Sequence, residues 1–139
     1  MRVADLLKKK GSSVVTLPST ATVAQLLETL DDHKIGAVVV VDDDRVVGIV
    51  SERDVVHHLR GGGDHFSSLT SLMTSDVQTV TAEDDLVQLA TTMTERRLRH
   101  LPVVEDGALR GIVSIGDVVK ARLDALEAER DMLEDYLRR

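Results

Sequence analysis

Gly48-Ile49-Val50-Ser51-Glu52-Arg53-Asp54 returns as Gly111-Ile112-Val113-Ser114-Ile115-Gly116-Asp117, 63 residues further along the chain. The comparison extends in both directions without a gap. Val14 falls on Val77, Thr16 on Thr79, Gln25 on Gln88, Leu26 on Leu89, Val40-Val41 on Val103-Val104, and Val55-Val56 on Val118-Val119. Roughly a quarter to a third of the aligned positions are identical, far above chance for a single period. Two copies are too few for a solenoid. They make one unit of two similar halves.

Each heptapeptide joins a strand to a helix. Gly-apolar-apolar closes an apolar run, and Ser-x-x-Asp is a capping box, worth about 0.5–2 kcal/mol per cap. Upstream of the first copy, Ile35 to Val41 is a continuous apolar stretch rich in valine, the pattern of a strand buried on both faces. Asp42-Asp43-Asp44 turns the chain and Arg45 to Val50 returns, which predicts a hairpin. Further upstream, Thr22-Val23-Ala24-Gln25 is a second capping box. It opens a helix with Val23, Leu26, Leu27 and Leu30 at helical spacing, expected to stop near Asp31-Asp32. Val14 to Leu17 is a short β-rich run closed by Pro18-Ser19, and residues 3–10 form a short amphipathic helix ended by Gly11-Ser12-Ser13.

Downstream of the first copy, Val55, Val56 and Leu59 continue a helix, and Arg60-Gly61-Gly62-Gly63-Asp64 reads as a flexible joint. The second half predicts the same plan. Phe66 to Met73 matches the opening helix and Val77 to Val80 the first strand. Asp85 is the N-cap of the next helix, with Leu86, Leu89, Ala90 and Met93 on its apolar side. Leu98 to Val104 and Leu109 to Val113 form the hairpin around Glu105-Asp106-Gly107. The last helix runs on from about Asp117 to Arg139. Its Val119, Leu123, Leu126, Leu133 and Leu137 recur at spacings of three and four, with Met132 and Tyr136 widening the stripe and Arg130 interrupting it.

Composition bounds the function. Of 139 residues 42% are apolar, enough for a core, yet Phe66 and Tyr136 are the only aromatics, so the core must be aliphatic. A net charge of −7 argues against nucleic-acid binding, which needs a basic face, and base-stacking platforms are missing. Lys8-Lys9-Lys10 is most simply a solvated turn. No cysteine is present, which excludes disulfides and thiolate chemistry. Met1 to Asp5 carries no signal-peptide pattern, and the longest apolar runs are too short to span a bilayer, so a soluble cytoplasmic protein is expected.

A β-α-β-β-α unit in tandem, each copy ending in Gly-apolar-apolar-Ser-x-x-Asp, resembles the paired cystathionine-β-synthase (CBS) domain, or Bateman module. The resemblance covers about residues 3–125, and Arg99-His100-Leu101-Pro102-Val103-Val104 also looks like that family's second strand. It implies an α/β fold of two CBS repeats, residues 1–60 and 66–125, related by a pseudo-twofold axis. A Gly-rich linker, 61–65, would join them, and a C-terminal helix extension, 126–139, would follow. It further implies two clefts between the repeats that take adenosine compounds such as AMP, ADP, ATP, S-adenosylmethionine or NAD as regulatory ligands. Members commonly form homodimers and regulate an attached or separate protein.

In this sequence the resemblance points to Ser51 and Asp54, with their copies Ser114 and Asp117. The Asp would accept the ribose hydroxyls and the Ser would face sugar or phosphate, beside the capping role both already have. Arg99 and His100, followed by Pro102, stand where similar domains bring basic groups to phosphates, and an Arg fork suits that task; a strand-edge pair on the surface is the other reading. Their counterparts are Gly36 and Ala37, so the two clefts are not equivalent. Thr16 and Thr79 end the first strands, where similar proteins read the adenine edge, or they are ordinary strand residues. Among His33, His57, His58 and His65, adjacent histidines on a helix diverge too much to chelate, and Asp42 to Asp44 lack a calcium-loop spacing, so no metal site is expected.

Three functions remain to be weighed. The first is a stand-alone ligand sensor that signals to an unidentified effector protein. The second is an enzyme, which the absence of a Walker loop and of any nucleophile constellation argues against. The third is a ligand-free dimeric scaffold in which Ser-x-x-Asp only caps helices. The stripe of the last helix favours a homodimer contact over folding back.

Overall fold

The computed structural model describes all residues from 1 to 139. Its elements, in order, are α1 (Val3–Lys10), β1 (Thr16–Leu17), α2 (Val23–His33), β2 (Ala37–Asp42), β3 (Arg45–Ser51), α3 (Glu52–Arg60), a 3-10 turn (Leu69–Ser71), α4 (Leu86–Arg96), β4 (His100–Glu105), β5 (Ala108–Ser114) and α5 (Ile115–Arg138). The sequence-predicted capping signals set the helix starts. Thr22 Oγ1 accepts from Gln25 N at 3.2 Å while Gln25 Oε1 accepts from Thr22 N at 2.9 Å, and Asp85 Oδ2 accepts from Gln88 N at 3.2 Å. As expected, α2 ends close to Asp31-Asp32. It continues to His33, and Lys34 ends it in the left-handed region at φ 52°, as Arg97 ends α4 at φ 56°.

The two hairpins repeat each other in detail. Val38 pairs with Val50 and Leu101 with Val113, and each hairpin carries a register shift one residue before its last two pairs. The turns use Asp43-Asp44 and Asp106-Gly107, all four at positive φ, the geometry that lets a two-residue turn match strand twist. Ala37 to Val40 are buried without interruption, as their run predicts. β1 adds a parallel strand beside β2, giving the order β1-β2-β3, whereas the second sheet has only β4 and β5. The expected strand from Val77 to Val80 reduces to one parallel bridge, Val80 to Val103.

The opening segments are exchanged between the halves. Val3 and Leu6 of α1 are buried in the core of the second half with Leu86, Met93, Leu101 and Val113. Val3 N donates to Asp84 O and Ala4 N to Ala82 O, both at 2.9 Å. Reciprocally, Leu69 is fully buried in the core of the first half with Leu26, Val38 and Val50, and Leu69 N donates to Ala21 O at 2.9 Å. Thr74 and Ile49 exchange backbone hydrogen bonds at 2.9 and 3.0 Å. Each sequence repeat therefore completes the other's core, and burying a leucine such as Leu6 or Leu69 contributes about 1.5–3 kcal/mol across the repeat boundary.

Residues 66–73 differ from the expected helix, forming only the Leu69–Ser71 turn. Ser67, Ser68, Thr70 and Ser71 crowd the segment, and short hydroxyl side chains compete for local hydrogen bonds and disfavour helix. Asp64 Oδ1 accepts from Phe66 N at 2.9 Å and Ser67 N at 3.0 Å, which fixes the turn instead. The last helix is as long as predicted, but from Arg122 onward every residue is exposed.

Candidate functional site: two inequivalent clefts between the halves

The starts of β2 and β4 meet at the pseudo-twofold axis. His100, the first residue of β4, lies over Gly36, where an added Cβ would sit 3.8 Å from the imidazole. Glu52 N donates to Gly36 O at 3.0 Å, and Ile115 N to Arg99 O at 2.9 Å. These bonds tie each strand-to-helix junction to the opening of its own hairpin. A cleft lies on either side of this junction, one of about 370 Å³ holding Ser51 and Asp54, the other of about 360 Å³ holding Ser114 and Asp117. His100 lines both.

The halves cross over at these clefts. Arg99 and His100 of the second half stand in the cleft of Asp54, joined by Arg97 and Arg53. Gly36 and Ala37 of the first half line both clefts, and in the cleft of Asp117 they are joined by Lys10, Val14 and Val15. The inequivalence expected from the sequence is therefore present, with the guanidinium groups opposite Asp54.

Both junctions are complete capping boxes. Asp54 Oδ2 accepts from Ser51 N at 2.8 Å and Ser51 Oγ at 3.1 Å, and Asp54 N donates to Ser51 Oγ at 3.4 Å. Its Oδ1 makes no hydrogen bond within the chain. Asp117 Oδ2 accepts from Ser114 N at 2.9 Å, and Asp117 N donates to Ser114 Oγ at 3.1 Å. Asp117 Oδ1 likewise makes no hydrogen bond within the chain, and the difference lies at Oδ2, where Lys10 Nζ stands at 2.5 Å while also donating to Ile112 O at 2.8 Å. Partial burial pushes the Asp117 carboxyl up, but the Lys10 ammonium and the Ser114 donors more than offset it and hold it below the ordinary carboxylate range. Burial pushes the His100 imidazole down, favouring its neutral form; Asp117 opposes this, and Arg99 and Lys10 reinforce it.

Three candidate residues lie outside both clefts. Thr16 is exposed beside Val39, Thr79 is exposed next to the Val80 bridge, and Pro102 is buried opposite Ile112 with its carbonyl accepting from Val80 N at 3.0 Å. Val14 and Val15, just before Thr16, reach the second cleft instead. Lys10, Arg53 and Arg97 were not singled out in the sequence. Lys10 is no solvated turn: it closes α1 and reaches across 107 residues to Asp117.

The chain matches the family model described as "CBS domain" twice, over residues 3–61 and 69–124. It is similar to the mitochondrial CBS domain-containing protein CBSX3 of Arabidopsis thaliana, at 31% identity, with 97% of this chain and 71% of that protein covered. The CBS-domain containing protein ATU1752 from Agrobacterium tumefaciens superposes with a TM-score of 0.84 at 46% identity, covering 88% of this chain and 99% of that one. PAE2072 from Pyrobaculum aerophilum, a CBS domain protein complexed with AMP, superposes with a TM-score of 0.76 at 30% identity, covering 84% and 89%. With its duplicated sequence, its paired hairpins and its two inter-repeat clefts, this chain belongs to the CBS domain family as a tandem pair.

Proposed function

We propose that the chain is a non-catalytic regulatory module that binds an adenosine-containing ligand in the cleft of Asp54 and signals to a partner protein. The observation that carries the reading is a carboxylate with an unengaged oxygen, Asp54 Oδ1, in the same cleft as three guanidinium groups, two of them from the other half. A ribose diol needs a charged acceptor at one end of the ligand and a phosphate needs fork-shaped donors at the other. Ser51 and Asp54 are assigned to the ribose, and Arg53, Arg97 and Arg99 to phosphate. Ile49 and Leu98 supply apolar surface for the base, and His100 closes the cleft toward the axis. AMP is the favoured ligand among AMP, ADP, ATP, S-adenosylmethionine and NAD, since PAE2072 is complexed with it.

Such a ligand touches both halves at once, so it stabilises the one relative tilt in which Asp54 and Arg99 both reach it. Differential affinity for two tilts is what lets a ligand move an equilibrium. The adenosine compound acts as a regulatory ligand and not as a cofactor. The readout passes to an effector protein or to a homodimer contact along α5, whose Leu133 and Leu137 are 59% and 80% exposed.

The test is calorimetric titration of the chain with AMP beside Asp54→Asn. The amide oxygen of Asn can still accept from Ser51 N, so the fold is kept, but the charge that receives two hydroxyls is gone. Binding weakened about a hundredfold with an unfolding temperature nearly unchanged supports the reading. Equal affinity in both proteins removes it. The second reading, a ligand-free dimeric scaffold, is favoured by the completeness of both capping boxes within the chain, and it expects no adenosine compound to bind.

A further inference from the structure

Lys10 has no part in either hydrophobic core, yet it is tied at both ends of its reach. Its backbone ends α1, which is anchored in the second half through Val3 and Leu6. Its ammonium crosses into the second cleft and is held by Asp117 Oδ2 at 2.5 Å and by Ile112 O at 2.8 Å. Oδ2 of Asp117 thus has two donors, Lys10 Nζ and Ser114 N, supplied by the chain itself. The matching residue is Met73, which belongs by sequence to the second repeat and packs against the first core, and no ammonium is bonded to Asp54.

We propose that Lys10 is a latch that occupies Asp117 and makes Lys10 the residue that decides which cleft accepts a hydroxyl-bearing ligand. Each carboxylate keeps its Oδ1 free of hydrogen bonds within the chain, but in the first cleft Asp54 shares the space with arginines and no ammonium is bonded to it. In the second, carboxylate and ammonium neutralise one another, so a diol that engages both carboxylate oxygens competes with an ion pair whose members are only about a quarter exposed, at 26% and 29%. A hydrogen bond to a charged partner at such a site is stronger than one in water, so displacement costs affinity. The latch also couples ligand to structure. A ligand that takes Asp117 releases the end of α1, which belongs by sequence to the first repeat and by packing to the second.

The ranking of the clefts rests on the adenosine-binding reading; the latch itself does not, and the experiment separates them. Without ligand, the Asp117 carboxyl is followed by side-chain carbon NMR against pH in the parent chain and in Lys10→Met, which installs the side chain of the matching position. A midpoint that rises in K10M supports the latch, and an unchanged midpoint overturns it. With ligand, uncharged adenosine is the probe, so that no phosphate confounds the loss of a positive charge. Asp54→Asn is compared with Asp54→Asn/Lys10→Met by calorimetry. Binding to the double variant at least about tenfold tighter supports the selectivity role. Equal affinity in the two overturns it. If adenosine and AMP bind no protein of the set while the Asp117 midpoint responds to Lys10, the adenosine reading fails and the latch stands.

Discussion

Truncation after Ala125 removes the part of α5 with no intramolecular role. Every residue from 126 to 139 is exposed in the single chain, including Leu126 at 45%, Met132 at 71%, Leu133 at 59%, Tyr136 at 74% and Leu137 at 80%. The removed segment takes no part in either core cluster, so truncation costs the fold of one chain almost nothing. A helix this short is marginal in water by itself, which makes its apolar side a surface to be covered. Full burial contributes about 1.5–3 kcal/mol per large side chain. If three leucines recover roughly half of that, each chain gains about 2–5 kcal/mol, enough to shift a dissociation constant by several orders of magnitude once two chains contribute. The assay is light scattering coupled to gel filtration, with thermal unfolding at two protein concentrations. The parent chain is expected to be dimeric with an unfolding temperature that rises with concentration; the truncated chain should be weakened to monomer and lose that dependence. A truncated dimer of the same relative stability would refute the argument that this stripe joins two chains.

Other perturbations test the exchanged cores and the axis. Leu69→Ala, a change in the second sequence repeat, should cost about 2–5 kcal/mol. Native-state hydrogen exchange should show protection lost at Val38 to Val40 at least as much as at Leu101 to Val103, because Leu69 packs in the first core. Loss confined to the second hairpin would contradict the exchange. Gly48→Ala places a Cβ 2.6 Å from Met73 Sδ and 3.1 Å from the Thr74 carbonyl oxygen, so it should lower stability by about 1–3 kcal/mol by chemical denaturation. His100 has a folded pKa below its ordinary value, chiefly through burial. The unfolded chain therefore binds the proton more readily. The stability from keeping this imidazole neutral is full above the unfolded pKa and is lost as pH falls below it toward the folded value. His100→Gln should flatten the fall of unfolding temperature over that window, and an unaltered slope would contradict the burial argument.

Much of the fold was legible because its signals are local. Thr22 to Gln25, Ser51 to Asp54 and Ser114 to Asp117 bond their own backbone within one turn, so three residues of separation carry the information. The hairpins were equally open to reading, since Ile35 to Val41 and its return have no polar interruption. What was hidden is what joins distant segments. Nothing in the spacing of α1 says that Val3 and Leu6 belong to the second core, and a repeat read linearly assigns them to the first. Lys10 reads as one of three solvated lysines until the fold brings Asp117 beside it. The same crossing places Arg99 opposite Asp54 rather than Asp117. Residues 66–73 failed as a helix because four hydroxyl side chains outweighed their likeness to residues 3–10. Thr16, on the short strand β1, and Thr79, outside any strand beside the Val80 bridge, are both exposed, and Val14 and Val15 line a cleft.

The claim that the Asp54 cleft is a nucleotide sensor is tested most directly by thermal unfolding of the purified chain against AMP, ADP, ATP, NAD, S-adenosylmethionine and GTP. At about a hundred times its dissociation constant a ligand stabilises by about 2.7 kcal/mol, roughly 5–10 °C for a chain of this size. The account predicts such a rise with AMP, none with GTP, and its loss in Asp54→Asn. No shift with any adenosine compound at millimolar concentration, or a shift that survives Asp54→Asn, would contradict it.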